Sequence, residues 1–115
     1  MLDFEKLEVY QKAKEFYVRI EKDLLSRNDI DLIIRDQLRL SSLNIALLIV
    51  EACSKIDLAD QRNYFVEARG ATYKCVAVFD LLKMEAKVPQ ENWDSLNIIA
   101  EEISIMLYAL FSDQN

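Results

Sequence analysis

The residues that could do chemistry are few. No histidine occurs among the 115 residues. That removes the usual neutral-pH general base, the commonest zinc ligand and the Glu/His pairing of di-iron bundles. Glu51 is the one acid set in a strongly apolar stretch, and a carboxylate there could serve as a base. Lys55 follows four residues later, and Arg62 or Arg69 could reach Glu51 from a neighbouring helix, so an ion pair is the preferred reading. Arg35 and Arg39 lie one turn apart, and Arg62 and Arg69 share a line further along. Like charges at that spacing repel, so each needs an acidic partner or an anion. These four are the candidate anion or nucleic-acid contacts, with structural pairing favoured. Cys53 and Cys75 both sit in apolar helical surroundings. In an antiparallel hairpin turning near Asp57 they would lie roughly 20 Å apart along the axis, too far for a disulfide. No Gly-rich phosphate loop, CxxC pair, nucleophile–base–orienter set or EF-hand pattern is present. The expectation is a chain without enzymatic activity, cofactor or metal.

Composition points to helices. Hydrophobic residues make up 52% of the chain, with one glycine, Gly70, and one proline, Pro89. Loops use these two residues and helices avoid them, so nearly the whole length should be helical, in one domain spanning 1–115. The net charge is −6; after Lys87 no basic residue occurs, whereas Glu91, Asp94, Glu101, Glu102 and Asp113 follow. Such acidity works against non-specific attraction to phosphates, which rests on Lys and Arg releasing counterions. No uninterrupted apolar run, 45–50 included, approaches the ~20 residues that cross a membrane. The opening stretch carries acids and no cleavable signal pattern, so a cytoplasmic protein without membrane contact is expected.

Hydrophobic spacing predicts four helices, over about 3–25, 31–56, 58–87 and 90–111. Asp29 or Asp31 can cap the second, Asp57 the third, and Pro89 separates the third from the fourth. The connections are short, which makes sequential helices antiparallel neighbours. The predicted fold is therefore all-α, an up-down-up-down four-helix bundle. Gly70 falls in mid-helix, at a cost of about 1 kcal/mol relative to Ala. Close packing of two backbones, with Ala71 and other small residues nearby, is the expected explanation. Trp93 and Tyr108 stand apart from the core stripes as candidate interface aromatics.

The stretch 37–56 is unusual. At about 100° per residue, Ile34, Leu38, Ile45, Ile49, Ala52 and Ile56 share one side, while Leu32, Leu40, Leu43, Leu47 and Val50 fall almost opposite. Gln37, Asn44, Glu51 and Lys55 form a narrow polar seam between them. A helix in a small monomer needs one apolar face, so the second implies burial against another subunit. Ile98 and Ile105 form a smaller strip on the far side of the last helix. Leu40, Leu43, Leu47, Val50, Ile98 and Ile105 are thus the expected oligomer interface, and self-association the expected partnership, with another protein as a further candidate. Val66, Gly70, Tyr73, Ala77, Leu81 and Met84 form a weaker second stripe on the third helix.

Several stretches resemble a known family. Phe4-Glu5-Lys6-Leu7-Glu8-Val9-Tyr10 with Ala13, then Gln37-Leu38-Arg39, Ile49-Val50-Glu51-Ala52 and Ala68-Arg69-Gly70-Ala71, follow in order and spacing. They resemble the F-x-x-L-x-V-aromatic-x-x-A, Q-L-R-R, I-A-E-G and A-R-G-S segments of the four-helix bundle proteins encoded within intervening sequences of bacterial 23S rRNA genes. That family is distantly similar to the accessory variability proteins of diversity-generating retroelements. Leu40 stands where the second Arg is usual, Ala52 for Gly and Ala71 for Ser. The resemblance implies a homopentameric ring of antiparallel bundles with no established enzyme activity. The retroelement branch is strongly basic and binds nucleic acid, whereas this chain is acidic. The expected function is a non-catalytic, ring-forming interaction or scaffold protein. The alternative is a nucleic-acid-binding accessory protein for a retroelement or rRNA-associated process.

Overall fold

A computed structural model describes residues 2–112. Among these, a 3₁₀ turn, Asp3–Lys6, leads into α1 (Glu8–Ile20), which widens into a π-helical segment, Glu21–Leu25. Then come α2 (Leu32–Ser54), α3 (Leu58–Leu82) and α4 (Gln90–Ser112). Each helix packs on its chain neighbours, and α1 also packs on α4. The helices therefore occupy the four corners of a bundle in chain order, with α2 and α4 on one diagonal and α1 and α3 on the other. The molecule is rod-like, 44 × 22 × 21 Å.

The helix starts follow their capping chemistry. Asp31 accepts from the Ile33 and Ile34 amides at 2.9 and 3.3 Å, and Asp57 accepts from Ala59 at 2.9 Å. Both satisfy amide donors that a first helical turn leaves unpaired. Asp29, the other candidate cap, instead takes both Nε and Nη2 of Arg27 at 2.9 and 3.0 Å. Arg27 also donates to the Lys87 carbonyl at 2.9 Å, tying the first loop to the third.

Four expectations about the elements need correction. The first helix is not continuous over 3–25, because Leu7 adopts an extended conformation between the 3₁₀ turn and α1. Its π-helical end widens the last turn, and the adjacent Leu24 and Leu25 are both buried. The second helix ends at Ser54, leaving Ile56 99% exposed instead of on the core side. The third ends at Leu82, where successive turn hydrogen bonds carry the chain to a buried Ala86. Trp93 is core, packed on Phe79 with ring centroids 5.8 Å apart.

Phe79 meets Phe16 edge-on at 5.9 Å on its other side. This trio joins α1, α3 and α4 through aromatic contact, with the two-faced α2 adding Leu38, Ile45 and Ile49, all fully buried. Buried hydroxyls are satisfied locally: Thr72 donates to the Ala68 carbonyl at 3.0 Å and Ser42 to the Arg39 carbonyl at 3.1 Å. By length and composition α4 is apolar enough to cross a membrane, yet Leu96, Ile103 and Leu107 are fully packed in the core.

Gly70 is the further correction. A Cβ placed on it would meet nothing within 4 Å. Its exposed position lies on the outer side of α3, while Ala71, next in sequence, is buried on the inner side. Close helix packing inside the subunit therefore does not account for this glycine.

Two outcomes follow. Phe79→Ala should lower unfolding free energy by about 3–5 kcal/mol in a denaturant titration, since its cavity is walled by two rings that cannot collapse into it. The Arg27 hydrogen bond holds the Asp29 carboxyl below its usual range. The loop clip is thus complete above the ordinary carboxylate pKa of about 4 and weakens as pH falls through the depressed value. Amide exchange in the first loop should quicken, after correction for intrinsic rates, over that acidic window, and Asp29→Asn should remove the step.

Candidate functional site

The exposed apolar surface is arranged in stripes. On α2, Ile33, Leu40, Leu43, Leu47 and Val50 recur at spacings of seven, three, four and three residues, the alternation of a coiled-coil seam. Leu40 and Leu47 remain 54% and 53% exposed, Leu43 is 38% exposed, and Val50 is half-buried. They lie opposite Leu38, Ile45, Ile49 and Ala52, which the bundle fully covers. One helix thus carries a completed core face and an uncovered apolar face.

Ile98 and Ile105 on α4 are also exposed, at 56% and 70%. Because α2 and α4 occupy opposite corners, their stripes face away from each other. The six residues expected to form one interface therefore belong to two separate surfaces. The second stripe on α3 proves wholly exposed, including Gly70 and Ala77 with Val66, Tyr73, Leu81 and Met84. Its spacing was legible in sequence, but its small and aromatic members concealed how fully it faces outward.

The polar seam of α2 is internally paired. Glu51 and Lys55 are 3.2 Å apart, Lys55 lies over the Tyr64 ring of α3 at 5.3 Å, and Gln37 donates to Ser41 Oγ at 3.0 Å. Asn44 is half-buried between them. Glu51 accordingly has the cationic neighbour that its spacing predicted.

The four arginines are not brought into one patch. Arg39 pairs with Glu21 at 2.8 Å, and Arg35 donates to the Arg27 carbonyl. Both bind the loop end of α1 to the start of α2. Arg62 Nε donates to the Phe111 carbonyl at 3.1 Å, holding the end of α4. Arg69 lies between Tyr73 and Tyr108, 4.9 and 5.5 Å from the ring centroids. Its buried Nε has no hydrogen-bond partner among the described residues. It lines a groove of about 340 Å³ between α3 and α4, with Glu101, Ser104 and Ile105 opposite. Tyr108 is thus a surface aromatic, as its place outside the core stripes predicts, stacked on an arginine and edge-on to Phe111 at 5.3 Å.

Both cysteines are free thiols. Burial pushes Cys75 up to about 12 and raises Cys53 as well, with Asp3 adding to the effect at Cys53. A thiol held in its protonated form is a poor nucleophile and a poor metal ligand. Among the described residues no cluster of three or more His, Cys, Asp or Glu could hold a metal.

Four helices at the corners of one bundle, in chain order and joined by short connections, place the chain in the class of up-down-up-down four-helix bundles. The model of the 23S rRNA-intervening sequence protein family matches residues 5–109, and the chain belongs to that family. A solved structure from Bacteroides thetaiotaomicron VPI-5482, described as a protein with unknown function from the S23 ribosomal protein family, is similar at TM-score 0.80. The two share 25% identity over 90% of this chain and 97% of that one. No curated protein matches.

At pH 8 a small aromatic disulfide reagent should leave Cys75 unlabelled in the folded protein and label half-buried Cys53 slowly. Both thiols should react at once in denaturant. Fast native labelling of Cys75, read by mass spectrometry of its peptide, would contradict this burial.

Proposed function

We infer that this chain is a non-catalytic subunit of a ring-shaped homo-oligomer, favoured as a pentamer, that acts in the cytoplasm as an interaction or scaffold protein. The observation that carries the reading is α2, whose second apolar face stays uncovered although its first is completely buried. Exposed apolar patches of this extent mark protein contacts. Heptad spacing on a helix of 23 residues adds the geometry of helix-on-helix packing. Family membership supports the bundle as the building block, and the pentamer rests on the family resemblance.

The nucleic-acid reading draws less support. Arg39 is neutralised by Glu21, and Arg35 and Arg62 hold backbone carbonyls. Non-specific phosphate binding needs a run of free cations, and the chain as a whole is acidic.

Light scattering should give wild type a mass of several subunits at micromolar concentration. Leu47→Glu should lower it to that of one subunit while the helical circular dichroism persists. In the lone subunit the new carboxylate is solvated, whereas in the assembly it is a buried, unpaired charge. A wild-type mass of one subunit would overturn the reading.

A further inference from the structure

Symmetry and register restrict which surface can receive the α2 seam. In a closed ring each subunit uses two different faces, one toward each neighbour. The angle between them must be roughly 90–120° for rings of four to six copies. The α2 and α4 stripes lie on opposite corners and point apart, which would generate an open row. The α2 and α3 stripes lie on adjacent corners, close to the angle a ring requires.

Rotation about an axis parallel to the bundle keeps every residue at its own height, so only residues at equal height can meet across the contact. The α2–α3 connection turns near Ile56, so Gly70 stands level with about Leu43. Tyr73 stands level with about Leu40, and Val66 with about Leu47. The α2 stripe over 33–50 spans about 26 Å, and the helical part of the α3 stripe, 66–81, about 23 Å at 1.5 Å per residue. Because α2 and α3 run in opposite directions, the two helices would meet antiparallel.

Two further features fit. Gly70 sits mid-helix, where an added Cβ would meet nothing within the subunit. The gap faces outward, on the stripe itself, which is where an incoming leucine needs room. Asp36 is the acid on the α2 seam, between Ile33 and Leu40, and Lys74 flanks the α3 stripe within about one turn of the same height. Neither makes an ion pair within the described subunit.

We propose that the α2 seam of one copy packs antiparallel on the α3 stripe of the next, with Leu43 and Leu47 seated over Gly70 and Asp36 paired with Lys74 across the contact. This rests on the assembly reading and specifies its interface. The α4 strip is then left outside the contact between neighbouring subunits, and the Arg69 groove borders it through Tyr73.

The test uses Gly70→Leu, Asp36→Lys, Lys74→Asp and the double charge exchange, each followed by light scattering and circular dichroism. Gly70→Leu should keep its helical signal, or unfold at higher temperature as a subunit, and yet lose the multi-subunit mass. Each single charge change should raise the assembly's dissociation constant about tenfold, and the double exchange should recover most of that loss. A Gly70→Leu protein that assembles like wild type overturns the contact while leaving assembly intact. So does a double exchange no better than its singles, or mass lost only in Ile98→Glu and Ile105→Glu. A monomeric wild type overturns both the assembly reading and this interface.

Discussion

A helix at the corner of a four-helix bundle can turn only one side inward. Everything distinctive about this chain follows from α2 exceeding that limit. Its Leu38, Ile45 and Ile49 side meets the demand of the core, to which the other three corners contribute, among others, Phe16, Phe79 and Trp93. Its Leu40 and Leu47 side has no such home within one chain. Apolar burial is non-directional and scales with area removed from water, so that side remains a source of association free energy that the subunit alone leaves unused.

Polar chemistry in the bundle serves mainly to hold the frame. Asp31 and Asp57 begin helices, Arg27, held by Asp29, joins two loops through the Lys87 carbonyl, and Arg39 and Arg62 fasten helix ends. Arg69, stacked on two tyrosines beside the α3–α4 groove, and Arg35 each keep a buried Nε without a hydrogen-bond partner among the described residues. The charges that looked functional by spacing are thus largely distributed along seams between elements.

How much of this was legible depended on the range of the interaction. The four helices, their order and the doubled face of α2 could be read because a 3.6-residue period is a local property. The choice between Asp29 and Asp31 as cap could not, since both have the chemistry, and the Arg27 fork that claims Asp29 is fixed by the loop's own fold. Trp93 looked peripheral because it precedes the periodic part of α4, yet it fills the space beside Phe79. The end of α3 was overextended because 83–87 have good helical propensity, which turn hydrogen bonds and the burial of Ala86 override. Gly70 was recognised as costly but assigned to the wrong neighbour. Periodicity reports that a side is small, and only the three-dimensional arrangement reports which way it points.

The corner order of the helices has one more consequence. With an even number of antiparallel passes, the Asp3–Lys6 turn and the last residues of α4 gather at one end of the rod, beside the α2–α3 connection. Asp3, Leu7, Cys53, Phe65 and Leu110 line a common hollow there. The Arg27 clip and the Lys87 carbonyl mark the other end. A ring built by rotation about the long axis would be a disc with two unlike rims. Any polypeptide joined before Asp3 or after Ser112 would leave from the same rim in every copy, so a cargo fused at either end would be displayed as a one-sided crown.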